Sequence, residues 1–365
     1  MIVGAGISGL STALRLLQRG YRVTLLERGA VGNESSWAGG GILSPLLPWD
    51  YADPVSSLAL RSMTAYADWV AGIEATSGLD AELWRCGMLA LDVAAPERAL
   101  AWCAEHEIAA MRNCPLPLPL PLPLNSLNEN QVWLPDVAQA RNPRLVSALH
   151  AAVVRLGGVI HAHCPATGVL TQGRRATAVR TSLDTFPADG VVLSAGAWSG
   201  LGLTGLTAVP QIKPIRGQML LFKLQPGVLD TILYRNGLYL IPRRDGHILV
   251  GSTLEDAGFD KSTDAATRQR LHAAAAELLP ALTGLLPVQH WAGLRPGSPD
   301  NIPVIDRHPG FDNVFVNAGH YRYGVTMAPA SAELLVDLVE GDTPALDPAP
   351  YRWQAALERR WGAAL

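Results

Sequence analysis

The strongest constraint on the fold lies in the first 27 residues. "MIVGAGISGLSTALRLLQRGYRVTLLERG" sets Gly4, Gly6 and Gly9 in a G-x-G-x-x-G pattern. Ile2 and Val3, just before it, read as the end of a buried strand. Leu10, Ala13, Leu14 and Leu17, just after it, recur at helical spacing. Gly20 ends that helix, and "YRVTLLE" supplies a second strand that closes on Glu27. A glycine triplet alone is a weak signal. Placed between a strand and a helix, with an acidic residue ending the next strand, it specifies a β–α–β dinucleotide site. Gly4 permits the tight turn, Gly6 lets a pyrophosphate approach the backbone, and Gly9 lets helix and strand pack closely. The N–H groups of the helix N-terminus face the phosphates. Glu27 would accept hydrogen bonds from ribose hydroxyls, which a 2′-phosphate would forbid.

The motif does not separate FAD from NAD, but the next segment does. "ESSWAGGGIL" follows soon after Glu27 and offers Ser35 and Ser36 as small hydroxyl donors. Gly39, Gly40 and Gly41 allow the backbone close to a flat ring, which suits a flavin lying along the chain. NAD-binding chains continue instead with further βα units, so the cofactor reading is FAD.

The 365 residues suffice for two domains or one large α/β unit. A hydrophobic share of 48% with 17% charged residues builds a sizeable core and excludes a disordered chain. The net charge of −3, with no long basic run, gives nucleic-acid binding little support. Cys86, Cys103, Cys114 and Cys164 are scattered without a CxxC pair, which suits a reducing compartment. The N-terminus shows no basic leader region, and no apolar run reaches the roughly 18 residues that span a membrane. A soluble, cytoplasmic protein is expected.

Helical character is expected over 56–76, 144–156, 264–279 and from Ala328 to Val339. "LYLIPRRDGHILVGST" carries two strand patterns about Asp245-Gly246, a hairpin signal. "PLPLPLPLPL", from Pro115 to Leu124, forbids a helix and reads as an extended surface connector. Segments of α/β character at both ends and in the middle imply a discontinuous cofactor domain interrupted by a β-rich substrate domain. The expected boundaries are 1–45, 140–205 and 290–345 for the FAD-binding domain, and 80–139 with 206–289 for the substrate domain. Residues 46–79 are read as a helical connection, and 115–124 as the Pro-Leu connector.

Taken together, "GAGISG", "LLERG", "ESSWAGGGILSP", "LSAGAWSG", "IPRRDGHILVGST", "HWAGLRPGSPDNIPVIDRHP" and "GHYRYG" resemble the glycine oxidases of thiamine biosynthesis. These belong to the D-amino acid oxidase and sarcosine oxidase superfamily. The resemblance runs from residue 2 to about residue 350, and the Pro-Leu stretch is its main gap. It implies an α/β (α+β) fold of D-amino acid oxidase type. A Rossmann-like FAD domain would be joined to a substrate domain with a large antiparallel sheet. It also implies oxidation of glycine, sarcosine and small D-amino acids by dioxygen to an imine and then the 2-oxo acid, with hydrogen peroxide formed. For glycine the products are glyoxylate and ammonia, and the imine is thought to feed thiazole synthesis.

The same resemblance assigns residues. Arg295 in "GLRPG" matches the arginine that holds the substrate carboxylate, and Tyr239 in "LYLIPR" a substrate-contacting tyrosine. Arg322 matches a second arginine near flavin and substrate, and Ile42 belongs to the pocket lining, where some members carry methionine. Cofactor contacts fall on Gly4, Gly6, Ile7, Ser8 and Gly9 at the first turn, and on Glu27 and Arg28. They continue through Ser35, Ser36, Gly39, Gly40, Gly41 and Ile42. Ala166 matches a backbone contact on the adenine side, and Ala195, Gly196 and Trp198 belong to the "LSAGAWSG" turn. Gly319, His320, Tyr321, Arg322, Tyr323, Gly324, Val325 and Thr326 match the loop along the isoalloxazine ring. Tyr323 departs from the family, which often carries asparagine there. Cys164 is the last cysteine, and Trp37 stands where some relatives tether the flavin through histidine, so the FAD is expected to be non-covalent. The expected partners are a small amino acid and O2, with no nucleic acid and no membrane span. The expected assembly is a homo-oligomer, for which a tetramer is one form.

The chemistry is consistent from below. An α-amino acid needs a planar cation for its carboxylate, and arginine offers a bidentate fork. GxSxG is absent and no catalytic triad is evident, as befits a site where the cofactor carries the reaction and the protein orients the substrate. His161 and His163 lie two apart on an expected strand, but a metal site would need further ligands, and none is expected. His320 is a candidate for assisting oxygen. The helix after "GHYRYG" would point its positive end at the flavin. Two other readings stay open. One is a flavin amine oxidase or dehydrogenase acting on another D-amino or N-substituted amino acid. The other is a non-catalytic FAD-binding or tRNA-modifying partner protein.

Overall fold

A computed structural model describes residues 1–112, 130–206 and 208–361. The Pro-Leu connector lies outside the described residues. At the N-terminus, β1 (Ile2–Val3), α1 (Ile7–Gln18) and β2 (Thr24–Leu26) form the expected β–α–β unit, with both strands parallel. β2 is shorter than its sequence pattern because Tyr21 and Arg22 project into solvent before the chain enters the sheet. Next come the single turn α2 (Ser35–Ala38), the long α3 (Asp53–Ser77), β3 (Trp84–Arg85), β4 (Met88–Leu91) and α4 (Pro96–Glu105). β5 (Val132–Leu134), β6 (Ala138–Gln139), α5 (Asn142–Arg155) and β7 (Val159–His161) lead to the three strands β8 (Ala166–Gln172), β9 (Arg175–Thr181) and β10 (Thr185–Pro187). After β11 (Val191–Leu193) run β12 (Lys213–Lys223), β13 (Ile232–Arg235), β14 (Leu238–Pro242) and β15 (His247–Gly251). The chain closes with α6 (Ala265–Leu278), β16 (Gln289–Gly297), β17 (Val304–Arg307), β18 (Val314–Ala318), α7 (Gly324–Glu340) and α8 (Trp353–Glu358).

Two large sheets organise these elements. The first has the order β17-β18-β11-β1-β2-β7 and is parallel except for its edge strand β17. Its short strands are apolar because both faces are covered. Ile2 and Leu25 face a core shared with α1, α3, α5 and α7, whereas Val3 and Leu26 face one shared with Val169 and Val179 of the small β10-β9-β8 sheet. The second sheet has the order β16-β12-β15-β14-β13-β4-β5 and is antiparallel apart from the β13/β4 pair. Leu271, Ala275 and Leu278 of α6 seal one of its faces.

Several elements differ from the sequence pattern. β16 pairs with β12 from Lys213↔Gly297 to Leu221↔Gln289, so residues 289–297 belong to the second sheet and not to the nucleotide-side segment that begins at 290. α3 buries Val55, Leu58, Tyr66 and Ile73 in the same core as α1. His163 lies beyond the end of β7 with φ +54, so it does not share a strand face with His161. No cluster of metal-ligating side chains occurs among the described residues. Among them, too, no helix is long and apolar enough to cross a membrane.

The most consequential difference is the start of α7. The sequence pattern begins this helix at Ala328, one residue before Pro329. The helix begins instead at Gly324. A proline inside a helix leaves the carbonyl four residues earlier without its donor. Here the Tyr66 hydroxyl of α3 donates to that carbonyl, on Val325, at 3.1 Å. Ser62 of the same helix accepts the Ala330 N–H at 3.1 Å. α3 thereby lets α7 extend forward by a full turn.

Candidate active site

The last residues of four parallel strands, Val3, Leu26, Leu193 and Ala318, open onto one cavity of about 750 Å³. Ligands of open α/β sheets bind at this carboxyl edge. The volume falls in the range of roughly 300–1,000 Å³ typical of small-molecule sites. The opposite wall comes from the second sheet and its loops, through Tyr239, Ser252, Thr253 and Arg295.

The nucleotide end follows from the glycine turn. Gly4 has φ +103, and a Cβ there would lie 2.3 Å from the Ser194 carbonyl oxygen. A Cβ on Gly9 would lie 2.0 Å from the Gly4 carbonyl oxygen. Both are therefore bound to be glycine by packing. Gly6 borders the cavity and caps α1, with Ile7 and Ser8 beside it. Gly9, expected among the cofactor contacts, is not on the cavity wall, because it packs α1 against the turn behind. Ser36 accepts the Ile7 N–H at 2.9 Å and so fixes α2 against the start of α1. Glu27 is buried, and its two oxygens accept the N–H groups of Ala5 at 2.8 Å and Gly29 at 2.9 Å. A carboxylate has about four acceptor sites, so two remain for ribose hydroxyls. Arg28 lies 3.4 Å over the Trp198 ring, with Glu34 at 2.9 Å from the guanidinium.

The wall beside the glycine run is held from behind. A Cβ on Gly40 would lie 2.7 Å from Ile241 and 3.4 Å from the Tyr239 ring. Arg243 donates to the Gly40 carbonyl at 2.8 Å, to the Ala140 carbonyl at 3.3 Å and to the Gln139 side chain. Burial, with the nearby charge of Arg141, pushes the Arg243 guanidinium down to about 10, which leaves it cationic at neutral pH.

The substrate candidates differ in what they offer. Arg295 on β16 donates to the Thr253 carbonyl at 3.1 Å and to Ser252 Oγ at 2.5 Å. A Cβ on Gly217 of the neighbouring strand would lie 2.1 Å from Arg295 Nη1, so the guanidinium occupies room that this glycine leaves. Neither Arg295 nor Arg322 pairs with an acidic side chain among the described residues. The ring of Tyr239 forms wall, and its hydroxyl donates to Met219 Sδ at 3.3 Å. Arg322 stands 5.5 Å over the Tyr321 ring. Residues 319–326 and Ile42 all border the cavity, but Gly324, Val325 and Thr326 do so as the first turn of α7 rather than as loop. His320 is fully buried between Ser8 Oγ at 3.4 Å and Ser331 Oγ at 3.0 Å. Burial pushes it down to about 4. It is therefore neutral under ordinary conditions and supplies no positive charge to oxygen. Tyr323 is buried, accepts the Leu46 N–H at 3.4 Å and donates to the Tyr51 hydroxyl.

The cavity fits a large, polar-ended cofactor on its own evidence. Asn142 Oδ1, Ser194 Oγ, Ser199 Oγ and Asn317 Oδ1 are buried without a hydrogen-bond partner among the described residues, and all four residues line it. Buried polar atoms normally have partners, so a ligand is the natural source of them. None of these four stood out in the sequence, nor did Ser252, Gly217, Arg243 or Tyr51, since isolated polar and small residues carry no local signature.

Comparison with known proteins agrees with this geometry. Residues 1–338 match the family described as FAD dependent oxidoreductase. The chain is 44% identical to glycine oxidase of Pseudomonas putida over 98% of both sequences. It is also 44% identical to glycine oxidase of Pseudomonas aeruginosa, over 96% of this chain and 97% of that one. The crystal structure of glycine oxidase from Geobacillus kaustophilus superposes with a TM-score of 0.90 at 26% identity, covering 99% of this chain and 98% of that one.

Proposed function

The chain belongs to the FAD dependent oxidoreductase family, and on that premise we propose that it is a glycine oxidase. It would convert glycine, sarcosine and small D-amino acids to their imines and 2-oxo acids at the cost of O2. The observation that carries this reading is Arg295, a guanidinium on the cavity wall with no acidic partner among the described residues. Two of its N–H groups are held by Thr253 and Ser252. Arginine carries five, so a forked pair remains to take a carboxylate.

FAD, when bound, supplies the two-electron oxidation of the amine and the return of those electrons to O2, which leaves as hydrogen peroxide. The chain's own residues would bind and orient. The first turn of α1 and Glu27 would hold the dinucleotide, and Ser194, Ser199 and Asn317 would satisfy further polar atoms of it. The Gly39–Gly41 backbone, fixed by Arg243, would lie against the ring system. Arg295 would anchor the carboxylate and so set which Cα hydrogen faces the cofactor, a gain of orientation and not of acid–base chemistry. The neutral His320 fits that scheme, because no protonated group then opposes binding of the amine. The N-terminal turn of α7, bordering the same cavity, would favour electron-rich forms of the cofactor.

We further propose that this activity serves thiazole formation, that the FAD is non-covalent, and that the protein is cytoplasmic and a homo-oligomer such as a tetramer. The deciding experiment is a panel of glycine, sarcosine, D-alanine and D-proline read as peroxide released. Glycine and sarcosine should both give peroxide. Peroxide from none of the four would exclude the reading, and peroxide only from bulkier D-amino or N-substituted acids would replace glycine with that substrate class.

A further inference from the structure

The segment from Ile42 to Tyr51 is a partition between two cavities. Ile42, Ser44 and Leu46 border the main cavity. Leu47, Trp49 and Asp50 border a second one of about 200 Å³, with Tyr234 on its far side. Asn236 borders both, so the two spaces adjoin.

The two halves of this partition are held differently. Its first half is tied by backbone: Leu43 donates to the Ala138 carbonyl at 2.9 Å, and Ile42 bridges to Gln139. Thr326 of α7 adds a bond to the Ile42 carbonyl at 3.0 Å. The second half has its own turn bonds, Asp50 N–H to the Leu47 carbonyl at 3.0 Å and Tyr51 N–H to the Pro48 carbonyl at 3.4 Å, and is bonded to neighbouring elements through side chains. Tyr323 takes the Leu46 N–H and donates to Tyr51, so one phenol grips both ends of the 46–51 stretch. The two rings meet edge to face, with centroids 5.0 Å apart and planes at 88°. Ser56 of α3 reaches the Pro48 carbonyl at 3.4 Å, and Arg98 of α4, which borders the second cavity, the Trp49 carbonyl at 2.9 Å. Tyr323 also follows Arg322 directly, so the grip is built into the turn that borders the main cavity.

We propose that Tyr323 and Tyr51 are a specificity-determining pair. Their hydroxyl contact holds residues 46–51 as a closed partition and confines the substrate to the main cavity, which keeps the preference on small amines. Without that contact, the partition gives way and the second cavity is added to the first, next to Asn236. Substrates with longer nitrogen or α substituents then gain. This rests on the reading of the site as an amine-oxidising one with a carboxylate anchor.

The test uses holoenzyme of the parent, Tyr323→Phe and Tyr51→Phe, since phenylalanine keeps the rings and removes the contact. Two ratios are read. The first is kcat/KM for N-butylglycine over that for glycine. The second, without turnover, is the affinity for pentanoate over that for acetate, from the change in flavin absorbance. The second cavity carries Leu47, Trp49, Leu91 and Val93 beside the charged Asp50 and Arg98, and an alkyl group seated on its apolar side contributes a selectivity of roughly tenfold or more. Both single variants should raise both ratios by about tenfold, and the double variant should add little to either. Ratios that stay at the parent values, or a uniform loss on all substrates with no change of ratio, would overturn the proposal. If no amine yields peroxide in any form, the function fails, yet the carboxylate ratios still decide the role of the pair.

Discussion

Arg295→Ala tests the site most directly, and the structure sets the size of the effect. In the parent, Thr253 and Ser252 fix the guanidinium, and Gly217 leaves the room for it. On the proposed reading the substrate carboxylate would meet a preset fork, since the bonds that hold Arg295 go to Thr253 and Ser252 and not to an acidic side chain among the described residues. Removing the arginine would leave a carboxylate in the cavity without this counter-charge. Breaking one side of a buried charge pair costs about 3–5 kcal/mol. At about 1.4 kcal/mol per decade, kcat/KM for glycine should fall by roughly two to nearly four orders of magnitude. Arg295→Lys keeps the charge and loses the fork, so its loss should be smaller. The assay is steady-state peroxide release, paired with glycinamide, which has no carboxylate. The flavin content of each variant is measured alongside. Arg295→Ala should penalise glycine far more than glycinamide. Equal penalties on both, with flavin retained, would show that Arg295 acts only through the fold, and a glycine kcat/KM within tenfold of the parent would refute the carboxylate anchor altogether.

Three further outcomes follow from the packing. Gly9→Ala places a methyl group 2.0 Å from the Gly4 carbonyl oxygen; the turn must shift, at about 1–3 kcal/mol or more, and both the flavin-to-protein ratio and the Tm should drop. Arg243→Met removes three buried bonds to Gln139, Ala140 and Gly40, so the wall loosens and FAD should bind at least about tenfold more weakly than in the parent, read as a higher Kd, and an unchanged Kd would separate this wall from the cofactor. His320 has its native pKa pushed down to about 4 by burial, below the ordinary value near 6.5. The unfolded chain therefore binds more protons between these values, so the stabilising contribution is complete above about pH 6.5 and is lost as pH falls towards 4. The acid limb of a stability profile should be flatter in His320→Gln than in the parent, and no His320 ionisation should appear in kcat/KM between about pH 6 and 9.

The legible parts of this protein are those whose physics is local. The first turn announces itself because a strand, three glycines, a helix and an acidic residue must occur in order. The Asp245-Gly246 hairpin joins β14 and β15 as antiparallel neighbours, with Gly246 at φ +86. What escaped reading depends on contacts between distant segments. Strand β16 falls within the expected cofactor-side segment yet pairs with β12, more than 60 residues earlier, and such pairing has no sequence mark. α7 starts earlier than its sequence pattern because the remedy for Pro329 comes from Tyr66 on another helix, 259 residues from the carbonyl it caps. Gly217 and Ser252 carry no local mark of their roles beside Arg295. Only the register of β12 against β16 shows that Gly217 makes space for Arg295.

The same long-range contacts explain why an arginine anchor on one sheet can serve a cofactor on the other. The "GHYRYG" turn leaves the parallel sheet after β18, yet it is bonded to the segment that follows Arg295. Tyr321 donates its N–H to the Pro296 carbonyl at 3.0 Å, and Ser298 donates to the Gly319 carbonyl at 2.5 Å. Pro296 is the residue next to Arg295, so the cofactor-side turn and the proposed carboxylate anchor are joined through one hydrogen bond and one peptide unit. Tyr321 holds φ +47 to make that bond, a conformation that costs a non-glycine residue energy and persists where surrounding contacts enforce it. The glycines at 319 and 324 thus frame a turn whose main task is registration. It sets the distance between the wall that would carry the flavin and the guanidinium that would carry the substrate, and that distance, more than any acid or base, is what such a reaction requires of the protein.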